Sequence, residues 1–169
     1  RSYDYDEPQD DFGRGAAVSG NTVAVGAPKP LQGGTSDPGE VVIYERAGSD
    51  WSLHQELGAS PKRAGDQFGR HVALAGDRLV VSSRDPDLEQ ARLHFFFRRG
   101  GKWQLVQTHA LEIPALDPFL HRGEPSAGFT STLSLAIAGD LVVIGINTDK
   151  PAPNSPPERA LLFRFRGAP

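Results

Sequence analysis

The chain has 169 residues, among them 19 glycines, 14 prolines and no cysteine, and its formal net charge at pH 7 is −3. This mild charge argues against a nucleic-acid-binding surface, and the lack of cysteine excludes disulfides and thiolate metal sites. No apolar run approaches the roughly 18 residues of a membrane-spanning helix. Glycine and proline between short β-branched runs favour an all-β chain with many turns, and no segment is convincingly helical.

Residues 1–10 combine a short strand pattern with an acidic loop. Tyr3 and Tyr5 alternate with polar residues, as in a half-buried strand, and we expect this segment to complete a blade. The loop lacks the Asp-x-Asp-x-Asp-Gly spacing of a calcium site, so a solvated loop is the favoured interpretation. Because carboxylates are the oxygen ligands that calcium prefers, the weak metal candidates are Asp4, Asp6 and Asp10. The start at Arg1, with neither an initiator nor a signal peptide, indicates a processed or excised segment.

The first repeat, residues 11–63, is predicted to be a four-stranded antiparallel meander. A strand from Phe12 to Ser19 turns at Gly20-Asn21 and returns through Thr22 to Val25, since glycine beside asparagine suits a two-residue hairpin. After a polar connection, Val41–Arg46 and Trp51–Leu57 give the third and fourth strands. At the strand period of two, we expect one face of the fourth strand to carry Trp51, Leu53, Gln55 and Leu57.

The second and third repeats follow the same plan over residues 64–115 and 116–169. In the second repeat, Trp103 and Arg98 each lie 52 residues after their counterparts Trp51 and Arg46. In the third, strands are predicted at 129–138, 141–146 and 160–166, with a proline-rich loop at 147–159 and no fourth strand.

The three opening strands are copies of one another. Phe12, Phe68 and Phe129 lie 56 and then 61 residues apart, a period typical of propeller blades and solenoid units. Such units cannot bury their faces alone, so their stability must come from stacking on neighbours.

These repeats resemble FG-GAP repeats, the units of the integrin α-subunit β-propeller and of many bacterial extracellular proteins. The first repeat has both parts of the motif, Phe12-Gly13 and Gly26-Ala27-Pro28. The second keeps Phe68-Gly69 but has Ser82-Ser83-Arg84 in the other place, and the third has Phe129-Thr130 and Gly145-Ile146-Asn147. The short turns are similar to the bacterial subtype and replace the calcium-binding hairpin of integrins.

The resemblance implies an all-β fold of about three four-stranded propeller-type blades. Closed propellers have four or more blades, so two architectures stay open. One is an open or partial propeller cut from a longer chain, and the other is a propeller completed by oligomerisation, for example a six-bladed ring of two chains. An extracellular, cell-surface or periplasmic location is also implied by the resemblance.

We expect function to reside in the long connections that gather on one side of the meanders, because rigid scaffolds commonly carry function on such loops. The expected role is non-catalytic recognition of a protein or glycan, or self-assembly, since no nucleophile or metal-binding histidine motif is present. The alternative is a lectin- or hydrolase-like propeller that uses acidic loop residues, with or without calcium. The candidate binding residues are Lys29, Gln32, Asp37, Arg84, Asp85, Asp87, Asp149, Lys150 and Glu158.

Overall fold

The computed structural model describes residues 11–28, 38–85, 90–111, 131–148 and 159–165, and all of its regular structure there is β. Its strands in chain order are β1 (Ala16–Ser19), β2 (Thr22–Ala27), β3 (Glu40–Ala47), β4 (Asp50–Leu57), β5 (Val72–Ala75), β6 (Arg78–Asp85), β7 (Gln90–Arg99), β8 (Lys102–Leu111), β9 (Ser131–Ala138), β10 (Leu141–Thr148) and β11 (Arg159–Arg164).

The strands form three antiparallel sheets, one for each repeat, which confirms the predicted all-β blades. The first two sheets have four strands each, in the orders β1-β2-β3-β4 and β5-β6-β7-β8. The third has three strands in the described residues, in the order β11-β10-β9. The first strand is shorter than predicted, because the chain turns between Asp11 and Arg14, where the Arg14 amide donates to the Asp11 carbonyl at 3.0 Å.

Two-residue turns join the first and second strands of every repeat, as predicted. Gly20, Gly76 and Gly139 occupy the first turn position, with φ of 59°, 56° and 59°. A positive φ at this position is typical of the type II′ hairpin, which matches the twist of the flanking strands.

A β-bulge in the fourth strand overturns one prediction about side-chain direction. The extra residues are His54 in β4 and Val106 in β8, which are again 52 positions apart. One extra residue reverses the alternation of side chains beyond it. The expectation of a single shared face in β4 is therefore wrong: Trp51 and Leu53 lie on one face, and Gln55 and Leu57 lie on the other.

The sheets stack face to face in chain order. The first core joins the first and second sheets through residues such as Ala24, Ile43, Phe68, Leu79 and Trp103. The second core joins the second and third sheets through residues such as Val80, Phe95, Val142, Ile144 and Phe165. The first strands of the repeats, β1, β5 and β9, approach one another along the stack. This arrangement is that of consecutive propeller blades around an inner axis.

The Phe-Gly and Gly-Ala-Pro motifs meet between neighbouring sheets. A Cβ on Gly26 would lie 2.7 Å from the carbonyl carbon of Gly69 and would overlap the oxygen. Phe68 is fully buried, and its amide donates to the Pro38 carbonyl at 2.8 Å. The glycines are thus required because backbone packs directly on backbone from one repeat to the next.

We predict that Gly26→Ala will lower the free energy of unfolding by about 2–3 kcal/mol, the range expected for overpacking against a rigid backbone. Gly145→Ala is the matched control, because Gly145 is the counterpart in the third repeat and its added Cβ meets the Ser134 hydroxyl, which can rotate away. We expect the control to cost less than about 1 kcal/mol in urea unfolding. Equal losses in the two variants would contradict the backbone contact.

Candidate interaction surface

The five turns within hairpins and the five longer connections lie on opposite sides of the stack, because each sheet is an antiparallel meander. Each hairpin turn has two residues, whereas the connections from β2 to β3, β8 to β9 and β10 to β11 have 12, 19 and 10. We call these two sides the turn side and the connection side. The connection side is where the candidate binding residues were expected.

Two of the nine candidate binding residues fall within the described residues, and both belong to β6. Arg84 pairs with Ala91 in the ladder and is only 6% exposed, so its predicted place in an open loop is wrong. The reason is that β6 and β7 continue to Asp85 and Gln90, leaving a connection of four residues. The candidates outside the described residues are Lys29, Gln32, Asp37, Asp87, Asp149, Lys150 and Glu158, and the metal candidates Asp4, Asp6 and Asp10 also lie outside them.

The connection from β4 to β5 is described throughout, and its second half is anchored in the protein. Asp66 and Gln67 are buried, and the Asp66 carboxylate accepts the Arg63 amide at 2.7 Å. The Asp66 carbonyl accepts the Arg84 amide at 2.6 Å, which ties the connection to the end of β6. The second half of this connection therefore positions Phe68 rather than offering a free loop.

The turn side carries a contact that recurs in the first two repeats. The Asn21 side chain accepts two hydrogen bonds from Arg46, and the Asp77 carboxylate accepts one from Arg98 at 2.7 Å. Each arginine lies over the tryptophan opposite it in the ladder, at 5.7 Å for Trp51 and 5.6 Å for Trp103. The equal spacing of Arg and Trp in the sequence reflects this turn–arginine–tryptophan contact.

Arg98 also links the first and second sheets. Its guanidinium donates to Glu45 of β3 at 2.7 Å, so it bridges carboxylates of two repeats. Hydrogen bonds to Asp77 and then to Glu45 raise the pKa of Arg98 above its usual value, against the effect of burial. The His54 ring extends this link between the sheets. Its Nδ1 lies 3.4 Å from a carboxylate oxygen of Glu45, and its Nε2 lies 2.6 Å from the carbonyl oxygen of Gly101.

Gln55 connects the outer strands of the same two sheets. Its side-chain NH₂ donates to the Trp103 carbonyl at 3.0 Å, and its side-chain oxygen accepts the Trp103 amide at 2.8 Å. The bulge at His54 makes this contact, because it turns Gln55 towards the second sheet. Sequence reasoning missed this role, although Gln55 and Gln107 are also 52 residues apart.

Two serine–histidine pairs, one buried and one partly buried, occupy the place of the lost Gly-Ala-Pro motif in the second repeat. Ser83 lies 2.8 Å from Nε2 of His94, and Ser82 lies 3.0 Å from Nδ1 of His71. Both serines are 1% exposed, so a substrate cannot reach their hydroxyls without a rearrangement of the strand. In each pair, the serine and the histidine satisfy each other's hydrogen-bonding groups. A Gly-Ala sequence at this place would not have introduced such groups.

An open cavity of about 610 Å³ lies beside β11, the outer strand of the third sheet. Its walls come from β8, from the turn before β10 and from β11 itself. The lining residues are Gln107, His109, Asp140, Leu162, Phe163, Arg164 and Phe165.

A comparison with known protein families matches residues 51–92 to the FG-GAP repeat. The chain contains an FG-GAP repeat. This finding confirms the resemblance for the segment that runs from β4 through Phe68-Gly69 into β7. The matched repeat thus begins in the outer strand of one sheet and ends in the next sheet.

Searches of curated proteins and of solved structures found no match. Within the described residues, no group of three or more carboxylate or histidine side chains is placed to hold a metal ion. The described part of the chain also has no helix that is long and apolar enough to cross a membrane.

We predict that Arg98→Ala will cost about 1–2 kcal/mol of unfolding free energy, because it removes charge-assisted bonds to two repeats. The matched variant is Arg46→Ala, which removes the equivalent contact with the neutral Asn21 inside one sheet. We expect it to cost about half as much in urea unfolding. If Arg46→Ala costs as much as Arg98→Ala, the bond to Glu45 contributes nothing to the link between sheets.

We predict that the protein loses stability as the pH falls from about 6.5 to about 4. Burial, followed by the charge of Arg92, lowers the pKa of His94 to about 4, and burial with Arg70 and Arg14 does the same for His71. Between these pH values the two histidines are protonated in the unfolded chain but neutral in the folded chain, so lowering the pH favours unfolding.

For His94, the pKa shift from 6.5 to about 4 corresponds to roughly 3 kcal/mol of unfolding free energy, which is lost as the pH falls through this window. Below the window, the contribution of His94 to stability no longer changes with pH. The measurement is urea unfolding from pH 7.5 to 3.5 for the wild type, His94→Gln and the exposed control His109→Gln. His94→Gln should flatten the pH dependence of the unfolding free energy, whereas His109→Gln should leave that dependence unchanged. An identical slope in all three proteins would refute the assignment.

Proposed function

We propose that the chain is a non-catalytic recognition module of the integrin-like propeller type. It acts outside the cytoplasm and binds a protein or a glycan through the connection side of its stacked sheets. The observation that carries the proposal is the division of the stack into two unlike sides: every hairpin turn has two residues, while the connections have up to 19. The FG-GAP repeat at residues 51–92 supports the type of module and, with it, the location.

The contacts on the turn side favour a structural role for that side. Arg98 is bonded to Glu45 of the first sheet and to Asp77 of the second, and His54 is bonded to Gly101. Side chains engaged in this way have little capacity for an additional partner without a loss of stability. A partner that binds the connection side would leave this network intact.

The test replaces the sequence of the long connections while leaving the strands unchanged. One variant carries a glycine–serine segment of equal length in place of residues 29–37, and a second carries it in place of residues 149–158. The control variant exchanges the turn residues Gly48-Ser49 of the opposite side for Asn-Gly, which suits the same kind of turn.

Binding is measured on a glycan array and on an array of immobilised extracellular proteins, and folding is measured by thermal unfolding. We expect at least a tenfold loss of binding to the array hits in one or both connection variants, with unchanged unfolding temperatures, and no loss in the turn control. Binding that survives both replacements, or that is lost only in the turn control, would refute the proposal. Glycan hits that require calcium would instead favour a lectin-like site built from acidic loop residues.

A further inference from the structure

The second sheet has two like charges opposite each other beside its last hairpin turn. Arg99 ends β7, Lys102 begins β8, and the two residues pair directly in the ladder. Like charges that lie directly opposite each other destabilise an antiparallel pair of strands. The corresponding pair in the first sheet is Ala47 and Asp50, which has no such conflict. An anion bound between Arg99 and Lys102 would relieve their repulsion.

A third cation, Arg78, lies on the same face of the second sheet. It pairs with Phe97 in the ladder, and its guanidinium lies 5.5 Å from the centre of the Phe97 ring and 6.0 Å from that of Phe165 in the third sheet. The Arg99 guanidinium lies 5.5 Å from the centre of the same Phe97 ring. Cation–π contacts therefore hold two arginines at the turn-side end of the space between the second and third sheets.

Arg78 has no hydrogen-bond acceptor for its side chain among the described residues. Its Nε is buried and makes no hydrogen bond there. Neither Arg78 nor Lys102 forms an ion pair with a described side chain. A buried N–H donor without an acceptor costs free energy, so an acceptor supplied to this guanidinium would stabilise the site.

The interface between the first and second sheets is built differently at the same place. Glu45, the counterpart of Phe97, accepts a hydrogen bond from Arg98 at 2.7 Å. Phe165 takes the place of Arg98 in the third sheet, since the backbone amides of both donate to the turn aspartate of their own sheet. A carboxylate of the protein thus meets a cation in the first interface, whereas the second interface has an aromatic ring at the position of that carboxylate.

From these contacts we propose that Arg78, Arg99 and Lys102 form a binding site for a tetrahedral oxyanion, the sulfate or phosphate ester of a sugar. Such an ester presents three terminal oxygens, one for each cation, and guanidinium groups match its geometry. Arg99 and Lys102 are exposed and Arg78 is half-buried, so a ligand can approach from solvent on the turn side.

The charge of the chain suits a short ligand at this site. The formal net charge is −3, and the three cations lie at one end of a single sheet. A long polyanion such as a nucleic acid would meet repulsion beyond the site, because its binding depends on many phosphate contacts. One sulfated or phosphorylated sugar needs only the end of the sheet.

The topology separates the site from the undescribed residues of the chain. The connections that contain such residues begin and end on the connection side, and residues 1–10 precede β1 on that side. The site borders the Gly100-Gly101 turn on the opposite side. Residues 166–169 follow β11 on the turn side, but their sequence, Arg-Gly-Ala-Pro, has no carboxylate side chain. The charges therefore favour an oxyanion from outside the chain.

This inference does not rest on the recognition proposed for the connection side. Replacement of residues 29–37 and 149–158 leaves the three cations in place, and substitution of Lys102 leaves the connections in place. Array hits that carry neither sulfate nor phosphate report on the connection side alone. The two proposals can therefore fail separately.

The test is an NMR titration of the isotope-labelled full chain with glucose 6-sulfate and, separately, glucose 6-phosphate at constant ionic strength. We expect saturable shifts of the Gly100, Gly101 and Lys102 amides, and none with glucose. Lys102→Gln and Arg78→Gln should each weaken binding about tenfold, the loss expected for one charge-assisted bond. Lys102 is exposed, so its variant tests the site even if Arg78→Gln disturbs the contact between sheets. The ester that binds more tightly identifies the source of the oxyanion.

Arg164→Gln is the matched control, because it removes an exposed arginine from the turn side. Arg164 is 79% exposed and belongs to the outward face of the third sheet, since its neighbour Phe165 faces the second. We expect unchanged affinity in this variant. Equal losses in Arg164→Gln and Lys102→Gln would reveal a general effect of net charge and overturn the proposal. Unchanged affinity in Lys102→Gln would do the same.

Three further outcomes would also overturn the proposal. Glucuronate that binds as tightly as glucose 6-sulfate would show that a tetrahedral group is not recognised. A phosphoserine peptide that binds more tightly than either sugar ester would assign the site to a protein ligand. Binding that requires prior removal of residues 1–10 or 166–169 would show that the chain itself fills the site.

Discussion

The structure depends on the close approach of two backbones between neighbouring sheets. A four-stranded sheet with two apolar faces cannot remain folded unless other surfaces cover those faces, so each repeat needs its neighbour. The Gly26–Gly69 contact allows the sheets to approach until side chains such as Ala24, Ile43 and Leu79 form one core. The motif residues thus serve packing rather than ligand binding.

Polar contacts fix how the stacked sheets are positioned relative to one another. Apolar surfaces alone tolerate sliding, whereas bonds of fixed geometry hold one register. Gln55 binds both backbone groups of a single residue in the next sheet, and Arg98 joins carboxylates from two sheets. In the second repeat, the buried Ser83–His94 pair replaces the Gly-Ala sequence with side chains that satisfy each other's hydrogen bonds, and a pH-dependent stability is its cost.

The outward faces of the first and third sheets carry exposed apolar side chains. The face of the first sheet that points away from the second leaves Val18 and Leu53 exposed at 67% and 55%. The corresponding face of the third sheet leaves Leu162 exposed at 67%. The counterparts of Val18 and Leu162 in the second sheet, Leu74 and Phe95, are covered by a neighbouring repeat. These two faces are therefore suited to stacking on further units of the same kind.

The sequence by itself determined the number of repeats, the strand order within each and the two-residue turns. These features arise from local preferences, such as glycine at a positive φ in Gly20, Gly76 and Gly139, which any folded context of the hairpin would require. The spacing of 52 residues between Arg46 and Arg98 also showed that their repeats share one plan. It did not show that these arginines bind the turn residues, because that contact joins a turn and a strand that are 25 and 21 residues apart in the two repeats.

Only the tertiary structure decided which side chains face which sheet. The bulges at His54 and Val106 have no marker in the sequence, since a bulge is stabilised by what the strand packs against. They turn Gln55 towards the second sheet and Gln107 towards the third, and so create both the link between the first two sheets and the cavity beside β11. The sequence analysis placed Arg84 in a connection, but it is buried within the ladder because β6 and β7 pair beyond it.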